Sequence, residues 1–255
     1  GNDDLLGAAE HRAVARQAVR ESLVMLKNEG VLPLKPGGRL LVAGDGADDI
    51  ARQSGGWTLS WQGTGIDNSH FPGATSIWSG LKQAVESAGG SAQLSPDGSF
   101  ASKPDAAIVV FGEKPYAEFQ GDIASLQLRP ELRRPIATMQ RLKQQGIPVV
   151  AVMITGRPLY VNEALNAADA FVAAWLPGSE GGGVADMLFA AADGAPAHDE
   201  WVQCDACRKW RRLPAGTPLP DDDEWTCAMN PDERRNSCEA DEQASGDERD
   251  DDEPQ

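Results

Sequence analysis

The first 203 residues of this 255-residue chain contain no cysteine, and no apolar run approaches the ~18 residues needed to cross a bilayer. The opening Gly1-Asn2-Asp3-Asp4 has neither the basic block nor the apolar block of a secretory signal. A membrane partner is therefore not expected, nor is a disulfide framework spread through the chain. Positive charge is also scarce: 23 Lys and Arg face 39 Asp and Glu, for a formal net charge of −16. Binding to nucleic-acid phosphates depends on Lys and Arg displacing counterions, so direct nucleic-acid binding is disfavoured and basic partners fit better. The imbalance is uneven. Residues 1–198 carry 16 basic and 21 acidic side chains, whereas residues 199–255 carry 7 and 18, which marks two regimes within one chain.

The four cysteines that do occur, Cys204, Cys207, Cys227 and Cys238, fall within 35 residues. The spacing is C-x2-C, then nineteen residues to the third cysteine and ten more to the fourth. This pattern can bring two thiolate pairs to one tetrahedral ion, and it predicts a structural zinc site. Two disulfides in a secreted appendage are the alternative.

Upstream, Val14, Ala18, Val19, Leu23 and Leu26 recur at helical spacing among polar residues and predict an amphipathic helix over 10–27, ended by Asn28-Glu29-Gly30. Beyond Pro36 the pattern changes to short apolar runs separated by helical stretches, the signature of strands buried on both faces with crossover helices between them. Strands are expected at 40–43, 106–111, 149–154 and 171–175, with a weaker one near 92–94. Helices are expected at 77–88, 131–144 and 184–191. The fold class is α/β, with an open and mostly parallel sheet.

Such sheets carry their chemistry in the loops beyond the strand C-termini. The loop Gly44-Asp45-Gly46-Ala47-Asp48-Asp49 opens like a dinucleotide turn but has Asp where the third glycine should be, and an acidic loop would repel a pyrophosphate. The segment from Ser54 to Gly65 puts Trp57 and Trp61 on a glycine-rich loop, either as a flat surface for a sugar ring or as plugs over the core. A third loop, Gly112-Glu113-Lys114-Pro115-Tyr116-Ala117-Glu118-Phe119-Gln120-Gly121-Asp122, holds three carboxylates. Glycosidic cleavage needs a carboxyl group to protonate the leaving oxygen and a second to attack the sugar or activate water, although acidic loops are more often merely solvated. Thr155-Gly156-Arg157-Pro158 and the glycines after Pro177 mark further tight turns at strand ends.

The stretch from His11 to Phe189 resembles the second domain of family-3 glycoside hydrolases, of the type that releases glucose from β-glucan ends. The residues that carry the resemblance are Ser22 to Asn28, Gln53-Ser54-Gly55-Gly56-Trp57-Thr58-Leu59-Ser60-Trp61-Gln62-Gly63, Gly112 to Glu118, and Ala173-Ala174-Trp175-Leu176-Pro177-Gly178-Ser179-Glu180-Gly181. The resemblance implies a six-stranded α/β sandwich. It also implies Glu113 in the acid/base position, with Glu118 as the second choice, and Trp57, with Trp61 beside it, in substrate binding. In that family the nucleophilic aspartate belongs to a barrel that would precede Gly1. A proton donor alone cannot form a glycosyl-enzyme, so hydrolysis of a β-glucan or β-glucoside is expected only if a barrel is supplied. The sandwich is expected over 9–192 and to be cut short after Phe189, lacking a closing strand and helix and leaving an apolar edge or face open. Residues 193–199 read as a linker.

Residues 200–239 resemble the CW-type zinc finger, through Trp201-Val202-Gln203-Cys204-Asp205-Ala206-Cys207-Arg208-Lys209-Trp210, Trp225-Thr226-Cys227, Asn230-Pro231-Asp232 and Cys238. So short a segment buries too little core to fold unaided, so thiolate ligation of zinc would contribute most of its folding free energy. The resemblance implies recognition of methylated lysine on histone tails, with Trp201 and Trp210 as cage walls and Trp225 packed inside. A quaternary ammonium has no proton to donate and is best held by aromatic faces. The alternative is that all three tryptophans serve the small core. From Glu239 onward there are nine acidic residues and one Arg, and residues 240–255 are expected to be a disordered acidic tail.

Two functions thus share one sequence: a carbohydrate-active domain incomplete without its barrel, and a chromatin reader attached to an inactive sandwich. Glucan hydrolysis belongs outside the cell or in the periplasm and histones belong in the nucleus, so localisation stays open. A chimeric gene product with no joint function would account for the conflict.

Overall fold

The computed structural model describes residues 7–189, 200–213, 225–230 and 236–240. The chain divides into two compact units, Gly1–Ala191 and Ala192–Gln255. The linker expected at 193–199 and all but the first residue of the acidic tail lie outside the described residues.

The first unit is built on six strands: β1 (Val24–Asn28), β2 (Arg39–Ala43), β3 (Ser91–Leu94), β4 (Ala106–Gly112), β5 (Val149–Ile154) and β6 (Ala170–Trp175), in the spatial order β1-β6-β5-β4-β2-β3. All neighbours run parallel except β1, which pairs antiparallel with β6. Each strand expected from the sequence is present, and the sheet is mostly parallel as the apolar runs imply.

Alternate residues along the strands feed two apolar layers. Leu40, Val42, Ile108, Val110, Val150 and Val152 pack with α3 (Ile77–Ser87) and α6 (Gly182–Leu188) on one face. Leu41, Val109, Phe111, Ala151, Met153 and Phe171 pack with α4 (Arg133–Gln144) and α5 (Asn162–Ala167) on the other. Burying a side chain such as Phe111 or Phe171 contributes about 1.5–3 kcal/mol, and their rings add an edge-to-face contact at 6.2 Å. Two helix starts are fixed by side-chain caps. Asp49 accepts from the Arg52 N–H at the head of α2 (Ile50–Ser54), and Ser76 accepts from the Ser79 N–H at the head of α3.

The helix expected over 10–27 is shorter. α1 spans Ala9–Ser22, Leu23 is extended, and the next five residues form β1. The run Leu23-Val24-Met25-Leu26 has no polar residue to complete a helical face, and tertiary pairing with β6 decides its conformation. Of the apolar residues proposed for the buried stripe of α1, Val19 is buried while Val14 is exposed. α1 is held instead by arginine forks. Arg12 bonds Glu180 at 2.8 and 3.1 Å, and Arg16 bonds Asp186 at 2.6 and 2.8 Å.

With β1 counted, the sheet already has the six strands that the resemblance implies, so no strand after Phe189 is needed to reach that number. On β1, Val24, Met25 and Leu26 are exposed and the ladder to β6 slips by one residue between Met25 and Lys27.

The sheet order reverses at β2, whose neighbours are β3 on one side and β4 on the other. The loops after β2, β4, β5 and β6 therefore converge beyond the carboxyl ends of the strands, where open α/β sheets form their crevices. Among the described residues, no helix is long and apolar enough to cross a membrane.

The second unit contains an antiparallel ribbon of β7 (Glu200–Gln203) and β8 (Trp210–Leu213) and a 3-10 turn, Cys227–Met229. Trp225 is buried against Cys204 and Cys227, as expected of a core tryptophan.

Candidate functional site

The loop after α2 lies on the loop after β4, and the contact requires a glycine. A Cβ on Gly56 would strike the carbonyl of Tyr116. Gln62 ties the two loops together, donating to the Glu118 carbonyl at 3.0 Å and accepting from the Ala117 N–H at 2.7 Å. The Trp57 N–H donates to the Trp61 carbonyl at 2.8 Å and closes the tip into a narrow turn.

This arrangement brings Glu118 between the two tryptophans. Its carboxylate accepts from the Trp61 indole at 2.7 Å and from the Trp57 indole at 3.1 and 3.2 Å. These bonds, Trp61's first, hold the Glu118 carboxyl below the usual carboxylate range. Trp57 and Trp61 remain 69% and 46% exposed, so neither is a plug over the core. Their rings lie 6.1 Å apart, and Phe119 meets Trp61 edge-on at 5.8 Å. Trp57, Leu59, Phe119 and Trp175 all have positive φ, between 51° and 70°, in the left-handed region that side chains other than glycine rarely adopt.

Glu113 is in a different environment. It is 8% exposed, and Arg157 grips both of its oxygens, each at 2.8 Å. Arg129 approaches the same carboxylate at 3.5 Å. Arg157 also donates to the Gly121 carbonyl and lies 4.1 Å from the centre of the Tyr116 ring. One guanidinium thus pins both ends of the loop that carries Glu118. Arg52, Gly56, Trp57, Glu113, Tyr116 and Thr155 are among the residues that line a cavity of about 210 Å³ beneath it.

In the second unit the four cysteines are free of disulfides, and their sulfurs all lie within 4.8 Å of one another. Cys204 and Cys238 are 3.9 Å apart and Cys207 and Cys227 are 3.6 Å apart. Four sulfurs bound tetrahedrally at about 2.3 Å would stand about 3.8 Å apart, so the set fits a zinc ion and not a pair of disulfides. Burial tends to raise the Cys204 thiol, but backbone N–H donors outweigh it and bring it down to about 6. Cys227, buried and facing the other sulfurs, is pushed up to about 12. A divalent cation at the centre would relieve that repulsion. The ladder pairs Trp201 with Arg212 and Gln203 with Trp210, which assigns positions 201 and 210 to one face of the ribbon. The side chains of these two tryptophans lie outside the described residues.

The Glycosyl hydrolase family 3 C-terminal domain model matches residues 23–195. The chain belongs to this family. The family 3 domain is 59% identical to a solved exo-1,3/1,4-beta-glucanase from a Pseudoalteromonas species, with a TM-score of 0.71 over 72% of this chain and 23% of that one. It is 32% identical over 199 residues to the lysosomal beta glucosidase of Dictyostelium discoideum, covering 70% of this chain and 24% of the relative. The chain thus spans about a quarter of the length of the curated β-glucosidases it matches. The CW-type zinc finger model matches residues 200–244, and the MORC family CW-type zinc finger protein 3 of Mus musculus is 52% identical over 44 residues, 17% of this chain and 4% of its own.

Within the family 3 domain, sequence reasoning singled out Glu113, Glu118, Trp57 and Trp61 but missed Arg157 and Gln62 as the residues that arrange them. Arg157 was visible as a lone cation at the end of a strand facing a loop with three carboxylates, a pairing that charge alone could have suggested. Gln62 carried no such signal.

Proposed function

We propose that the family 3 domain supplies the proton donor and an aromatic sugar platform to a β-glucoside-cleaving site, and that the nucleophilic carboxylate comes from a separate domain. The observation that carries this reading is the exposed Glu118 carboxylate bridging the indoles of Trp57 and Trp61. It is an exposed carboxyl group held beside two exposed indole rings, so that a sugar stacked on a ring and a proton donor could meet there.

Glu118 takes the donor's part and Glu113 a positioning one. A general acid must present a proton to the leaving oxygen. Both Glu113 oxygens are engaged by Arg157, so protonation there would break a buried bidentate pair. Glu118 is held as a carboxylate in the open loop. A bound sugar and a second domain carrying a negative nucleophile would desolvate it and raise its pKa toward that of a working acid.

A chimera tests the assignment. The segment of the Pseudoalteromonas enzyme that matches this chain would be replaced by residues 23–195. Glu118→Gln should abolish cleavage of a glucoside with a poor leaving group. It should spare the first step on an activated aryl glucoside, whose leaving group departs without protonation. Full activity of Glu118→Gln on the poor leaving group would defeat the assignment.

For the second unit we propose zinc as the ion held by Cys204, Cys207, Cys227 and Cys238, and a methylated lysine of a histone tail as ligand, with Trp201 and Trp210 as walls. The shared face of positions 201 and 210 in the ribbon supports this pairing. Calorimetry with trimethyl-lysine and unmethylated histone peptides, on the intact chain and on Trp201→Ala, should show methyl-dependent heat in the first protein only.

A further inference from the structure

Of the four candidate zinc ligands, Cys204 and Cys227 are buried, whereas Cys238 is exposed and lies on a stretch eleven residues beyond Cys227. Two cations reach over to that segment. Arg211 in β8 donates from Nη2 to the carbonyls of Ser237, at 3.3 Å, and Ala240, at 2.9 Å. Lys209, two residues earlier, donates from Nζ to the carbonyls of Cys238, at 3.0 Å, and Ala240, at 2.9 Å. The backbone on both sides of the Cys238 sulfur is therefore fastened by side chains that have no thiol of their own.

Arg211 is 0% exposed and the largest fully buried side chain among the described residues. A buried guanidinium is costly unless negative charge compensates it. One divalent ion with four thiolates carries a formal charge of −2, and Arg211 stands on the strand between the ligand knuckle and the last ligand.

We infer that Arg211, assisted by Lys209, is a positioning latch that keeps Cys238 on the metal and so sets how long zinc is retained. The inference rests on the four-cysteine site holding zinc. Loss of the latch frees the segment 236–240, and the fourth sulfur leaves first while the buried ligands stay.

The test uses the full chain loaded with zinc, in wild-type form and as Arg211→Met, Lys209→Met and Cys238→Ser. The first readout is the rate of zinc transfer to a chromophoric chelator. Outer-shell partners of metal ligands usually govern about 10- to 100-fold in affinity, and Arg211→Met should release zinc faster by that factor, with Lys209→Met between it and wild type. The second readout is the thiolate-to-metal charge-transfer band of the cobalt-substituted protein, which counts bound sulfurs. Arg211→Met should lose about a quarter of the intensity and resemble Cys238→Ser, as one of four thiolates leaves. Faster release with the full band intact would mean a general loss of packing and would overturn the latch. If Arg211→Met fails to load, Lys209→Met decides alone, and wild-type release from it overturns the inference. Absence of stoichiometric zinc in the wild-type chain would instead defeat the metal-site reading beneath it.

Discussion

Removing Arg157 should expose how much of the loop after β4 depends on one ion pair. In Arg157→Met, Glu113, with a side chain only 5% exposed, keeps Arg129 at 3.5 Å as its one ion-pair partner among the described residues. Stripping one partner from a buried pair costs about 3–5 kcal/mol, and the remaining arginine argues for the lower end, about 3 kcal/mol. The unit spans Gly1–Ala191, and domains of that size lose roughly 2–4 °C of Tm per kcal/mol, so the expected drop is about 6–12 °C. Replacing both partners, Glu113→Gln with Arg157→Met, leaves no stranded charge and should recover most of that loss. Scanning calorimetry on the four proteins of the cycle gives the coupling. A single variant melting within about 2 °C of wild type, or a double variant no better than the single, would refute the claim that this pair is a buried clamp.

The tryptophans report on Glu118 directly. Its folded pKa lies below its unfolded one, so the indole bonds persist at neutral pH and are lost only as pH falls through the folded value. Tryptophan emission should stay constant from about pH 8 to 5, change in the acid limb below that, and lose this limb in Glu118→Gln. In the second unit, zinc can bind the Cys227 thiol, pushed up to about 12, only by displacing its proton at neutral pH. Calorimetry in two buffers of different ionisation enthalpy should therefore report proton release and tighter binding as pH rises; a proton count of zero would contradict it. In the sheet, a Cβ on Gly112 would overlap the Ile154 carbonyl of the neighbouring strand. Gly112→Ala should cost about 1–3 kcal/mol, and an unchanged urea midpoint would show that the strands can part there freely.

Much of this architecture was legible because its signals are local or strongly patterned. Runs such as Val149–Ile154 are apolar throughout, which only a strand covered on both faces tolerates, and this strand is buried along its whole length. The thiol spacing predicted a four-sulfur cluster because a tetrahedral ion imposes its own distances. What stayed hidden was set by partners distant in the chain. Leu23 to Lys27 continued a helical pattern, and only pairing with β6, far along the chain, makes it a strand. α2 and α5, of 5 and 6 residues, are too short to show a period. The difference in surroundings between Glu113 and Glu118 was equally invisible. Both are glutamates in one acidic loop, and what separates them is Arg157 reaching in from the end of β5 to neutralise the first and leave the second to the indoles.

The left-handed backbone at Trp57, Leu59, Phe119 and Trp175 has a consequence for how this surface can change over generations. Each of these residues occupies a conformation that glycine would adopt freely and that costs a larger side chain on the order of 1 kcal/mol. Selection for sturdiness alone would thus drift toward glycine at these positions, flattening the aromatic rim as the molecule became hardier. Variants that keep the bulky side chains there accept a lower melting point than glycine would give, and thermally hardened variants should be checked first for side chains lost at these four sites.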